Sequence, residues 1–463
     1  METRTGLPGT RRAGVVRRAV TALCALVLRV FFRRIEVVGQ APAAGPVVFV
    51  LNHPNGLLDP LFLLALAPRP VSFLAKAPLF RAPLVGTLVR ALDCLPVYRA
   101  ADGADTRRNR GTLEAAGDLL MGGGAIALFP EGTTRDAHAL APLKSGAARI
   151  ALGTGALLGA AGAAPPALVP AGLYYGDRGT FRSDAVMVLG PAIPFGDLPM
   201  DPDAGPAPDA VSELTARVAS ALRALTVNAE RSELVELAAT AARLLEAQDR
   251  PAAGAGGIQR RLELMQSILA HHEALRAQAP ASVRTLVDRL RRYRAARLVH
   301  GMDEEAPDRV HAVPAARFLA RTLALAVPGA PLIGAGMLVN WLPYRLVGTL
   351  ARRIAGDQEA VLSTGKVLAG MVLFPATWLL VSAGVAGYAG WQWGLVHLLL
   401  APACAGSALW WLDRSQAIAA GFRVLWLKWR RPAEHACLLA EREAIARELR
   451  EHAQRNRGPA SPD

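Results

Sequence analysis

The sequence predicts an α/β domain with a mostly parallel sheet and flanking helices, followed by a helical appendage and a C-terminal transmembrane hairpin. Three observations carry that prediction. Between Pro46 and Gly190, short apolar runs of strand length recur, with helix-length segments between several of them. This is the alternation that builds a parallel sheet. Residues 212–312 switch to helical periodicity with dense charge. Residues 367–412 contain no Asp, Glu, Lys or Arg, enough for two spans of about 20 residues with a turn between them.

Composition narrows the function classes. The chain has 463 residues, 52 Lys and Arg against 38 Asp and Glu, and a formal charge of +14. At roughly 100–200 residues per domain, this is two or three domains. A hydrophobic fraction of 52% excludes a disordered chain. A basic, apolar chain points to nucleic acid or an anionic membrane surface. Aromatics make up 6%, and no run interleaves them with Lys or Arg on a strand face, so nucleic acid is not an expected partner. Cys24, Cys94, Cys404 and Cys437 lack paired spacing. They form neither a zinc signature nor a disulfide framework, which fits a reducing compartment. The His271–His272 pair has no third ligand at useful spacing, and no metal is expected.

In chain order, residues 1–34 read as a basic interfacial helix. Its apolar run, Ala19–Leu28, is too short to span and is flanked by arginines, and Arg33 and Arg34 lie where a signal peptidase site would need small residues. Residues 35–196 form the α/β domain, with strands expected at 47–51, 71–75, 94–98, 125–129, 168–175 and 185–190 and helices within 106–121 and 145–154. The Pro- and Asp-rich stretch 197–211 reads as a linker and 212–312 as the helical appendage. Residues 313–431 form the membrane region, with the hairpin at about 367–412 and Tyr388, Trp391 and Trp393 at its turn. Within that region Thr322–Tyr344 is also uncharged, but Pro328, Pro331 and Pro343 predict a broken segment that dips in and returns or lies in the interface. Residues 432–463 form a cytoplasmic tail. Arginines and lysines flank the hairpin on both outer sides, and its turn has none. The positive-inside rule therefore puts both flanks in the cytoplasm.

Two clusters carry chemistry, each directly after an apolar strand, where α/β sheets gather functional groups. The first is Asn52-His53-Pro54-Asn55-Gly56-Leu57-Leu58-Asp59. A His with an Asp shortly downstream is a general-base arrangement: the carboxylate holds one ring nitrogen and leaves the other to take a proton. Without G-x-S-x-G, the attacking hydroxyl belongs to a substrate. Alone, the pair is equally a loop histidine capping a helix. The second cluster is Phe129-Pro130-Glu131-Gly132-Thr133-Thr134-Arg135. Gly132 permits close backbone approach, and Thr133, Thr134 and Arg135 suit a phosphate monoester. Alone, it is equally an ordinary turn after a strand.

Together and in this order, the clusters resemble the glycerophospholipid acyltransferase family, which carries an Asn-His-x4-Asp motif and later a Phe-Pro-Glu-Gly-Thr motif. Lys76–Phe80 is similar to its Lys-x-x-Leu-Phe stretch. Pro96-Val97-Tyr98-Arg99 is similar to its second motif, Leu143–Ala147 to its basic step after the third, and Leu168–Ala171 to its fourth. The resemblance covers roughly residues 35–195. Two departures stand out. Five residues, not four, separate His53 from Asp59, a turn of about 100° if the stretch were helical, with Gly56 placed to absorb it. Asp93 and Cys94 occupy the region where the second motif usually has a glycine. The C-terminal architecture is similar to that of the larger, fungal-type glycerol-3-phosphate acyltransferases.

The resemblance implies a membrane-bound acyltransferase of phospholipid synthesis. Its donor is acyl-CoA or acyl-carrier protein, and its acceptor is glycerol 3-phosphate or 1-acyl-glycerol 3-phosphate, the former favoured by the C-terminal architecture. It implies His53 and Asp59 as the catalytic pair. Arg99, Arg135 and Lys144 would lie at the acceptor phosphate, with Glu131, Gly132, Thr133 and Thr134 in the same binding loop. No cofactor or metal is implied. Membrane lipids are the expected surroundings, with the catalytic domain on the cytoplasmic side. The rival readings are an acyltransferase for a lysolipid without phosphate, and an inactive lipid-binding scaffold on the same fold.

Overall fold

The computed structural model describes residues 8–82, 85–134, 139–229, 231–246, 257–302, 312–356 and 358–456. It divides into two compact units. One comprises Met1–Asn228 with Asp357–Thr364, the other Ala229–Gly356 with Gly365–Asp463.

The first unit is built on seven strands: β1 (Arg34–Val38), β2 (Val47–Leu51), β3 (Ser72–Lys76), β4 (Leu95–Val97), β5 (Ala125–Leu128), β6 (Ala167–Tyr175) and β7 (Asp184–Leu189). Their order in the sheet is β1-β7-β6-β2-β5-β3-β4. Every pairing is parallel except β6 with β7. β2 is central and wholly buried, as expected of an apolar run covered on both faces. Val48 and Val50 join Ile126, Leu128 and Leu168 in one core layer. By strand alternation Val47, Phe49 and Leu51, also buried, face the other way.

Six helices belong to this unit: α1 (Pro8–Phe31), α2 (Leu58–Leu66), α3 (Val85–Ala91), α4 (Asn109–Met121), α5 (Gly146–Ala160) and α6 (Pro208–Leu225). α4, α5 and α6 all contribute to the Val48–Val50 layer. The position of α6 differs from the sequence reading, which ends the domain at 196, reads a linker over 197–211 and begins the appendage at 212. In the structure Pro208 opens α6, and Val211, Leu214, Val218 and Leu222 are buried in the same core as the sheet. Each such burial contributes roughly 1.5–3 kcal/mol, and the unit runs on to Asn228. The charges of α6 lie on its outer face, and that pattern looks the same from sequence on an appendage or a docked helix.

α1 buries Val20, Cys24, Leu28 and Phe31, the 3–4 spacing of one helix face, and packs along α2. Arg17 anchors its flank with bonds to Asp93 (2.7 Å) and the Val71 carbonyl (2.8 Å). The other side exposes Val15, Val16, Leu23, Leu26 and Val30. The helix is thus apolar on two sides, one packed and one bare.

The second unit holds α7 (Ser232–Glu246), α8 (Ile258–Gln278), α9 (Pro280–Val299), α10 (Ala312–Ala355), most of α11 (Glu359–Ala389), α12 (Trp391–Arg430) and α13 (Pro432–Asn456). The region read as a tail, 432–463, supplies α13. Its Ile445 and Ala446 are buried with Leu237, Ala241 and Leu244 of α7 and Leu290 and Tyr293 of α9. Arg289 of α9 bonds Glu441 (2.8 Å) and Glu448 (2.5 Å) of α13.

Among the described residues, three helices are long and apolar enough to cross a membrane: Ala315–Ala355, Val361–Ala389 and Trp391–Arg430. The expected break in Thr322–Tyr344 is corrected here. α10 is one continuous helix of 44 residues with Pro328, Pro331 and Pro343 inside it. Each proline removes one backbone N–H from the ladder, a loss that neighbouring helices and local adjustment let such helices tolerate. Polar pairs link the three helices. Trp378 Nε1 donates to Asn340 Oδ1 at 2.8 Å, and Ser382 Oγ lies 2.7 Å from His397 Nδ1.

Candidate active site

The site forms at the C-terminal ends of β2, β4, β5 and β6. β2 ends at Leu51, and Asn52 extends its pairing through its side chain. Asn52 Nδ2 donates to the Leu173 carbonyl (3.0 Å), and Asn52 Oδ1 accepts from the Leu173 N–H (2.7 Å). The loop then carries His53 around to Asp59 in the first turn of α2, where the helix N-terminus favours a negative charge.

The extra residue between His53 and Asp59 does not separate them. His53 Nδ1 lies 2.7 Å from Asp59 Oδ2. Gly56, with φ of +50°, takes a backbone conformation that side chains resist and lets the loop bulge. Asp59 is fully buried, and the His53 side chain keeps 19% of its surface. The orienting group is therefore sealed while the base stays open to a substrate. Asp59 Oδ2 also accepts the Asn55 N–H (2.8 Å), and Asp59 Oδ1 accepts the Tyr175 hydroxyl (2.6 Å). Three donors converge on one carboxylate. An ionised Asp59 makes Nδ1 the protonated ring nitrogen and leaves Nε2 as the acceptor.

Tyr175 closes β6 and is buried against Phe32 and Phe62. Burial, reinforced by the neighbouring Asp59 charge, pushes its hydroxyl well above the ordinary tyrosine value. It therefore stays a neutral donor. The His53 ring stacks on Phe129 at 4.0 Å and 12°, which fixes its plane from the β5 side.

Glu131 sits behind the base. Its Oε1 accepts the backbone N–H of His53 (2.9 Å) and its Oε2 that of Ala141 (3.1 Å). Placed by sequence in the binding loop, this carboxylate ties the two motif loops together. Gly132 has φ of +70°, and the Lys144 side chain passes just behind it. Lys144 itself is exposed, with its N–H on the Pro130 carbonyl (2.7 Å). Thr133 is exposed and Thr134 half-buried on the same loop. Arg135 lies outside the described residues.

Arg99 follows β4 and reaches the same place. Its Nη1 donates to the Gly132 carbonyl (2.9 Å), and Nε and Nη2 grip Asp102 at 2.8 and 2.7 Å. Asp102 raises the guanidinium's pKa further, and Arg99 lowers that of Asp102. Lys76, at the end of β3, adds positive charge near Asp102. The structure thus brings His53, Asp59, Glu131, Gly132 and Arg99 together by direct contacts, with Lys144 beside Gly132. Among the described residues no cluster of three metal-ligating side chains occurs.

Residues 34–170 match the family model described as Acyltransferase. Three curated relatives share this region at 33% identity. They are glycerol-3-phosphate O-acyltransferase 2 of Saccharomyces cerevisiae (30% of this chain, 18% of the relative), the chloroplastic 1-acyl-sn-glycerol-3-phosphate acyltransferase BAT2 of Brassica napus (24% and 30%), and the lyso-ornithine lipid O-acyltransferase of Brucella abortus (32% and 52%). The chain carries an acyltransferase domain over residues 34–170. It spans between about a fifth and a half of the length of these relatives.

In this acyltransferase domain, sequence reasoning missed the residues that act on other residues. Asn55 and Phe129 stand in the two clusters but were given no role there, and Tyr175 makes no recognisable pattern with His53 until the strands bring them together. The one legible signal was the aromatic end of β6, Tyr174-Tyr175, immediately beyond the Leu168–Ala171 motif.

Proposed function

We propose that this protein is a membrane-bound O-acyltransferase. It moves a fatty acyl chain from acyl-CoA or acyl-carrier protein to the hydroxyl of glycerol 3-phosphate or 1-acyl-glycerol 3-phosphate. The observation that carries the reading is the His53–Asp59 pair at 2.7 Å, sealed behind and open in front, beside Arg99. His53 Nε2 takes the proton of the acceptor hydroxyl as its oxygen attacks the thioester carbonyl. The tetrahedral oxyanion collapses, the C–S bond breaks, and the departing thiolate takes the proton from His53. Asp59 stabilises the imidazolium between the two steps. General-base help of this kind contributes about 10²–10⁴ in rate.

Arg99 has three of its five N–H donors engaged with Asp102 and Gly132. An acceptor phosphate would take the remaining donors or displace Asp102, with Lys144 and Lys76 adding charge. The Asp102 clamp also gives weight to a second acceptor class, a lysolipid without phosphate, in line with the Brucella relative's name. The intact His53–Asp59–Glu131 set speaks against an inactive scaffold.

α11 and α12, which meet at Gly390, are read as the crossing pair. Arg345, Arg352, Arg353 and Lys366 on one flank and Arg414, Arg423, Lys428, Arg430 and Arg431 on the other put both on the cytoplasmic side.

The test is acyl transfer from labelled acyl-CoA and acyl-carrier protein to glycerol 3-phosphate, lysophosphatidate and lyso-ornithine lipid, resolved by lipid chromatography. The reading expects product with one phosphate acceptor. Product with lyso-ornithine lipid alone favours the second class, and no product with any pair overturns both.

A further inference from the structure

The loop between His53 and Asp59 has a second support, from a part of the chain that the acyltransferase match does not reach. Leu57 directly precedes α2 and has no side chain to cap it. Its N–H is one of the donors that a helix start leaves without an intrahelical partner. It donates instead to Thr364 Oγ1 at 3.0 Å. The neighbouring Ser363, fully buried, donates its hydroxyl to the Arg178 carbonyl. That carbonyl also accepts Asn55 Nδ2 at 3.2 Å. Asn55 and Leu57 flank Gly56, the residue whose positive φ absorbs the longer spacing. The bulge is therefore held on both sides, one arm running through Arg178 and the other directly to Thr364. All of these residues belong to the first unit.

We propose that Ser363 and Thr364 are positioning residues for the His53–Asp59 pair. The proposal rests on the acyltransferase reading of that pair. The bulged loop can place His53 on Asp59 only if the backbone at 55–57 is fixed. The Asn55 N–H on Asp59 supplies one constraint, and Ser363 and Thr364 supply the others. These two residues lie in the second turn of α11, inside the stretch Val361–Ala389 that is apolar and long enough to cross a membrane.

The test compares Thr364→Val, which keeps the shape and removes the acceptor, with Thr364→Ser, which keeps the acceptor. Ser363→Ala, alone and with Thr364→Val, completes the set. Leaving one partly buried N–H without its partner predicts a fall in kcat of about tenfold for Thr364→Val, with both KM values within twofold. Thr364→Ser should stay within twofold of wild type, and the double variant should fall further than either single one. A second readout needs no turnover. The rate of His53 carbethoxylation by diethyl pyrocarbonate at one fixed pH, followed by peptide mass spectrometry in isolated membranes, reports how the ring is held on Asp59. Thr364→Val should change that rate at least twofold as the hold of Asp59 loosens, and Thr364→Ser should not. Identical behaviour of Val and Ser variants in both readouts would overturn the proposal. If wild type transfers acyl chains to no acceptor, the functional reading fails, and the carbethoxylation rate still decides the brace.

Discussion

Replacing Glu131 separates two roles for this residue. In the structure its carboxylate accepts the His53 N–H at 2.9 Å and the Ala141 N–H at 3.1 Å, and the residue is 9% exposed. Hydrogen bonds to a charged acceptor contribute roughly 1.5–3 kcal/mol each. Only the bond to His53 bears on the base; the bond to Ala141 secures the loop behind it. Glu131→Ala should therefore lower kcat by one bond's worth, roughly ten- to hundredfold, with KM for acceptor and thioester within twofold. Glu131→Gln keeps one acceptor oxygen and turns an NH2 toward the other N–H, so it should recover only part of the loss. Steady-state kinetics on the purified variants, varying each substrate in turn, reads this directly. A large rise in acceptor KM with kcat unchanged would refute the reasoning and return Glu131 to the binding surface.

Tyr175→Phe removes one of three donors on Asp59 and should lower kcat several-fold, without moving either KM. The same variant has a pH signature. Burial raises the folded-state pKa of Tyr175, so above about pH 10 the unfolded tyrosine loses a proton that the folded one keeps. Its contribution is present below that pH and is lost as pH rises, by up to about 1.4 kcal/mol per pH unit. In detergent melts between pH 9 and 11, wild type should lose stability faster than Tyr175→Phe; parallel curves would count against the buried hydroxyl. Arg99→Ala should raise KM for a phosphorylated acceptor about ten- to hundredfold and leave the donor's unchanged, with Arg99→Lys recovering only part because the two-pronged geometry is lost. If only the donor KM moves, Arg99 belongs to the thioester side. Leu214→Ala, in α6, should destabilise the acyltransferase domain by about 2–5 kcal/mol; unchanged melting of that domain would restore the reading of α6 as part of an appendage. In a background lacking the native cysteines, single cysteines at Ala101 and Glu451 should resist a membrane-impermeant reagent in intact cells, and one at Gln392 should react. Reaction at either of the first two would contradict the topology.

The fold was legible where one physical rule acted alone. Six of the seven described strands announced themselves as short apolar runs. β1 did not, because it is a half-exposed edge strand carrying Arg34 and Glu36, and nothing in its pattern distinguishes it from a loop. The end of the domain was misread because the Pro-Asp stretch before α6 carries every mark of a linker, while the docking of α6 depends on a sheet face that no local pattern reveals. Three prolines in α10 read as a break, since proline's cost is assessed against an isolated helix and not against its packed neighbours. Within the candidate site, His53, Asp59, Glu131 and Arg99 were singled out because they stand in motifs that resemble the family's. Tyr175, Asn55 and Thr364 were not. A hydroxyl or an amide that holds another residue in place is defined by a distance, and these distances join parts of the chain far apart in sequence.

The central claim is that His53 takes the acceptor's proton. The most direct measurement is single-turnover acyl transfer by purified His53→Ala and wild-type protein, with labelled thioester and a saturating phosphorylated acceptor. The account predicts that the variant loses at least a hundredfold in rate and still inserts in membranes. A variant rate within a few-fold of wild type would contradict it.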